Sequence, residues 1–275
     1  MWRRFLTPRW LGFHLLVSTG VVVMVFLGFW QLDRLDTRRE FNATVIDRTE
    51  QAPRPLELVL ETATPDDDLE WTPVIAQGRW LTLEQVLVIN RSQGGVAGRN
   101  VVTPLELTDG SVIAVTRGFI ALDQEPPPVP GDTARVRGLL RPDEERGFGG
   151  VSDPASGRLA ELQRLDLDRL AAQLPDALAQ RLVPWSLTLE ASEPPQPAPL
   201  VPAPRPVLSE GSHLSYAVQW FVFALCAFIG WCFAMNRSVT NLRRSQPPAS
   251  PADEQPRAPG EHATADVRTP PPSLS

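Results

Sequence analysis

From Leu214 to Met235 the chain runs for 22 residues without a charged side chain. As a helix rising ~1.5 Å per residue, that run reaches roughly 33 Å, enough for a bilayer core of ~30 Å. Lipid offers no water to bond N–H and C=O groups, so a spanning segment of this kind has to be helical. One ionisable residue, His213, stands at its mouth. Its ring can titrate, hydrogen-bond or bind a metal. A second apolar run, residues 11–32, follows the basic start MWRRFLTPRW. It exceeds the ~7–15 residues of a signal-peptide core, and no Ala-x-Ala follows it, so it reads as an uncleaved first span.

Charge placement orients the pair. Arg3, Arg4 and Arg9 precede the first span, and Arg237, Arg243 and Arg244 follow the second, with no acid among either group. The inner flanks mix both signs. Basic flanks stay cytoplasmic, so the expectation is a multi-pass protein of the bacterial cell membrane with both termini cytoplasmic. The expected layout is a cytoplasmic N-terminus (1–10), span one (11–32) and an extracytoplasmic domain (33–192). A Pro-rich linker (193–212), span two (213–235) and a disordered cytoplasmic tail (236–275) complete it.

Between the spans, 28 acids face 18 arginines. The net charge of −6 and the lack of a basic stripe exclude a nucleic-acid partner. WTPVIAQGRW, EQVLVINR, VVTPLEL, SVIAVTRGFI, ARVRGLLR and PWSLTLEA read as strands. Asp109-Gly110 signals a hairpin with both residues at positive φ. Gln93 to Gly98 reads as a loop, 52–70 as a connector, and 34–50 as a polar, helical stretch. LDLDRLAAQLPDAL reads as one amphipathic helix capped by Asp166 or Asp168. The fold class expected is two transmembrane helices bracketing a small α+β domain, an antiparallel, barrel-like sheet plus one helix. The prolines of EPPQPAPLVPAPRPV favour an extended spacer.

The intervening domain holds no His and no Cys, and the chain has no Lys. No ordinary base can therefore activate a Ser there, and a non-enzyme is expected. Copper delivery would need soft ligands in that domain. The two cysteines, Cys226 and Cys232, lie inside span two instead, as small packing residues. On a helix His213, Tyr216, Ala217, Trp220, Ala224 and Ala227 form one stripe, whose small residues admit a partner helix or a flat ligand. Trp30, Gln31 and Arg34 close span one at the same expected depth. An imidazole, indole walls and Arg suit an iron porphyrin, with His213 on the metal and Arg on the propionates. The same residues also suit an ordinary interfacial belt facing lipid headgroups.

LGFWQLDRL, WTPVIAQGRW, NVVTPLEL, VIAVTRGFI and HLSYAVQWF, in this order and spacing, resemble the Surfeit-locus (Shy) family of cytochrome c oxidase assembly factors. The resemblance runs from about Gly28 to Trp231. It implies two helices around an extracytoplasmic domain and a chaperone-like role in maturing the oxidase of the respiratory chain. The partners implied are the catalytic subunit and other assembly factors. It also implies haem a as a transient cofactor, with His213 as the metal ligand and Tyr216, Trp220, Trp30, Gln31 and Arg34 around it. Arg117 and Gly118 match an Arg-Gly pair of structural role. Gly211-Ser212 stand where family members often have Asn or Glu before the His. The alternative is a cofactor-free scaffold that steadies an oxidase intermediate.

Overall fold

The computed structural model describes residues 7–244 apart from 65, 145 and 148. The expected tail beyond 244 and the first six residues lie outside that range. Two helices are long and apolar enough to cross a membrane: α1, Pro8–Thr49, and a second within His213–Thr240. The chain divides into two compact units, Met1–Trp30 with Tyr216–Ser275, and Gln31–Ser215.

In the second unit, α1 continues from the apolar run through the polar stretch without a break. No Pro or Gly interrupts residues 31–49, so nothing stops the helix. Leu35, Asn42 and Val45 are buried along this half, and Phe41 meets Trp71 edge-on at 6.5 Å. Arg48 reaches Asp68 at 2.9 Å and the Glu70 carbonyl at 2.7 Å. The expected connector is partly ordered as strand β1 (Arg54–Pro55) and helix α2 (Leu56–Thr62), which buries Leu56 and Val59.

The sheet has eight strands: β1, β2 (Pro73–Trp80), β3 (Val86–Gln93), β4 (Val96–Leu107), β5 (Val112–Ala121), β6 (Thr133–Arg141), β7 (Glu161–Leu162) and β8 (Leu182–Glu193). Their order is β1-β2-β6-β8-β5-β4-β3-β7, with β2 also paired to β4. The run from β2 to β4 thus returns to β2. Gly78 sits at that return, facing Ala134 on one side and Leu107 on the other. A Cβ there would lie 2.2 Å from the Glu106 carbonyl oxygen, so only glycine fits.

Several expectations need correcting. The sheet is mixed, not antiparallel: β5 runs parallel to β8, β1 to β2 and β3 to β7. The long excursion between β5 and β8 carries β6, β7 and two helices, which leaves room for a parallel return. The single helix is two, α3 (Leu167–Ala171) and α4 (Asp176–Ala179). Pro175 lacks an N–H to continue the first, and Asp166 is the cap, accepting from the Arg169 N–H at 2.8 Å. Only Gly110 of the Asp-Gly turn takes positive φ, giving a three-residue loop. In the expected glycine loop the turn is Gly94-Gly95 alone, and Val96 already pairs with Gln93.

β5 is buried along nearly its whole length. Ile113 and Val115 enter one apolar cluster with Leu105, Leu140, Leu187 and α2. Ala114 enters a second with Val86, Val102, Leu162 and Leu170, where β7 and α3 cover the opposite face. Arg117, also on β5, is 1 % exposed and makes no ion pair among the described residues. Nε donates to Gln196 at 2.7 Å, and the terminal nitrogens donate to Gln85 Oε1 and the Pro127 and Pro128 carbonyls. Desolvation lowers its pKa to about 10. The linker is therefore not a free spacer: besides Gln196, Val201 exchanges two backbone hydrogen bonds with Phe119 at 2.8 and 2.9 Å.

Replacing Arg117 by Ala strands several buried acceptors, each costing about 1–3 kcal/mol. The purified chain should unfold at clearly lower urea, and Lys should restore only part of the loss. Glu106 is held below its ordinary 4.5 by hydrogen bonds from Arg79 and Arg181. Its contribution is present above that pH and fades as acid protonates it. Glu106→Gln should therefore flatten the stability profile below about pH 4.5 and leave its shape near neutral pH unchanged, whereas an unchanged acid limb would assign it elsewhere.

Candidate functional site

In the unit formed by Gln31–Ser215, the second half of α1 meets the approach to the last helix, α5 (His213–Arg244). Gln31 Oε1 lies 2.8 Å from His213 Nδ1, a contact between residues 182 positions apart. Two turns further along α1, Arg39 grips Glu210 through both carboxylate oxygens, Nε to Oε1 at 3.1 Å and a terminal nitrogen to Oε2 at 3.0 Å. That fork holds the Glu210 carboxyl below its ordinary range. It fixes the chain three residues before the imidazole.

His213 is half-buried, and its Nε2 has no partner among the described residues. Gly211, two residues earlier, has a φ of +70°, which glycine adopts without strain, and a Cβ there would stand 3.5 Å from Nε2, in ordinary van der Waals contact. Arg34 is exposed, with no acid partner among the described residues. Of the sequence-derived candidates, the structure thus brings His213 and Gln31 into contact within this unit. No three His, Cys, Asp or Glu side chains gather as a metal cluster among the described residues.

Trp30, Tyr216 and Trp220 belong to the other unit. There Trp30 and Tyr216 are about half exposed, and Trp220 contacts Phe223 at 6.1 Å. The small residues of the stripe do pack: Ala217 and Ala224 are buried. Phe221 lies against Gly28, where a Cβ would come within 2.6 Å of its ring, and it meets Phe29 edge-on at 5.4 Å. Near the other end of these helices Trp231 Nε1 donates to His14 Nδ1 at 2.9 Å. Cys226 and Cys232 are free and exposed on α5 rather than packed.

The family model described as the SURF1 family matches residues 19–225. The chain belongs to the SURF1 family. It is 26 % identical over 258 residues to an uncharacterised SURF1-like protein of Mycobacterium tuberculosis, covering 90 % of this chain and 92 % of that one. A SURF1-like protein of Monosiga brevicollis is 26 % identical over 260 residues, covering 86 % and 93 %. The family match runs from within the first apolar helix, through the sheet, into the second.

Sequence reading singled out His213 and Gln31 but missed the Arg39–Glu210 fork. Gly211 was visible as a departure from the family pattern; its positive φ was not. Gly28→Leu would push the Phe221 ring out of its seat. The expected result is a lower thermal midpoint in detergent, with Gly28→Ala milder; an unchanged Leu variant would show that the close approach contributes nothing.

Proposed function

We propose that this SURF1-family chain is a membrane-anchored assembly factor that holds haem a through His213 and passes it to the catalytic subunit of cytochrome c oxidase. In this proposal both termini are cytoplasmic and the sheet domain lies outside. The observation that supports the ligand assignment is the state of one side chain. His213 has one ring nitrogen committed to Gln31 and the other without a hydrogen-bond partner among the described residues. That donor set suits a porphyrin iron, which takes neutral imidazole as an axial ligand. When bound, haem a supplies the redox chemistry of the oxidase; the part of this chain is to hold and release.

Gln31 orients the imidazole, and the Arg39–Glu210 fork steadies the segment that carries it. Arg34 offers a cation for a propionate. A single imidazole ligand favours modest affinity, which delivery requires. An apolar anchor is also apt, because a cofactor bearing a long isoprenoid tail partitions into lipid.

Visible spectra of the protein purified from cells that make haem a test the reading. The parent should show a Soret band and His213→Ala should lose most of it. Equal haem in both would remove His213 as the ligand. A haem-free parent that still co-purifies with oxidase subunits would favour the cofactor-free scaffold.

A further inference from the structure

A neutral imidazole carries one ring proton, and which nitrogen bears it decides whether the other can bind a metal. Gln31 Oε1 stands 2.8 Å from His213 Nδ1. An amide oxygen only accepts hydrogen bonds, so the proton sits on Nδ1 and the lone pair on Nε2. Nε2 lies on the opposite edge of the ring from the amide, near Gly211, and has no hydrogen-bond partner among the described residues. His14 provides a contrast within the same chain. Its Nδ1 accepts from the Trp231 indole N–H, which can only donate, so a neutral His14 carries its proton on Nε2. The two histidines are set in opposite tautomers by neighbours of opposite hydrogen-bonding character.

We propose that Gln31 is a positioning residue, which fixes the Nδ1–H tautomer of His213 and so presents Nε2 as a metal-binding nitrogen. The inference rests on reading His213 as the iron ligand. Gln31 does not itself touch the iron; it acts through the imidazole, as the partners of metal-bound histidines commonly do. The role demands an acceptor at this position. Glu can fill it; Leu, of similar size, cannot. If the amide were turned about, its NH2 would face Nδ1, the proton would move to Nε2, and the metal-binding nitrogen would be closed.

The test uses the full chain in lipid nanodiscs, without haem and with ¹⁵N-labelled histidine. His14→Gln and His262→Gln variants assign the three rings. The parent should show His213 protonated on Nδ1 and His14 on Nε2. Gln31→Leu should populate the Nε2–H form of His213 while leaving the His14 signal in place, which reports an intact fold. Gln31→Glu should keep the parental tautomer. In haemin titrations, Gln31→Leu should bind about 10–100-fold more weakly than the parent, and Gln31→Glu should stay close to it.

A parental His213 with its proton on Nε2 overturns the inference. So does a Gln31→Leu variant whose tautomer and haemin affinity match the parent. A tautomer set by Gln31, in a protein whose haemin binding ignores His213→Ala, sinks the ligand reading and leaves the tautomer assignment standing.

Discussion

Two contacts between α1 and the approach to α5 close the sheet-bearing unit at the point where the chain enters and leaves it. Gln31 meets His213 across 182 positions and Arg39 meets Glu210 across 171. Closing so long a loop costs entropy that grows only with the logarithm of its length. Once one contact forms, the second closes a much shorter path, so the two support each other. The ion pair is exposed on both sides and adds little stability by itself. Its effect is on position: it removes slack from the residues that carry the imidazole.

The remainder of that unit explains why the closure holds a fixed place. β5 is covered on both faces, and the strands beside it return to β2 at Gly78. Arg117 extends this rigidity outward from β5. Its guanidinium is satisfied by neutral oxygens from the β5–β6 connection, from Gln85 and from the linker. Burial without a carboxylate penalises the charge, as the lowered pKa records. In return the prolines ahead of α5 are held to the sheet, and Arg205 adds a pair with Glu190 at 2.9 Å. A segment that composition marks as a spacer becomes part of the domain wall.

The apolar runs were legible because bilayer thickness sets a length and charge exclusion sets a composition. Six strands were legible because alternation and turn residues act locally. What local signals missed was structure supported from a distance. β1 and β7 are two residues each and exist through parallel partners, Val74 and Ile75 for one, Leu87 and Val88 for the other. α2 lies in a stretch that composition marks as a connector, and burial of Leu56 and Val59 stabilises it. The parallel pairing of β5 with β8 leaves no local trace, because direction depends on how the intervening chain returns.

By itself the sequence determined that two apolar helices enclose a sheet-rich acidic domain, that His213 stands at the mouth of the second, and that the domain between lacks His, Cys and Lys. Those follow from residue type and spacing alone. Only the tertiary structure decided that Gln31 Oε1 faces Nδ1 rather than Nε2, that Gly211 takes a positive φ, and that Arg39 anchors Glu210. These depend on directions of side chains brought together from far apart in the chain, and sequence separation carries no information about direction.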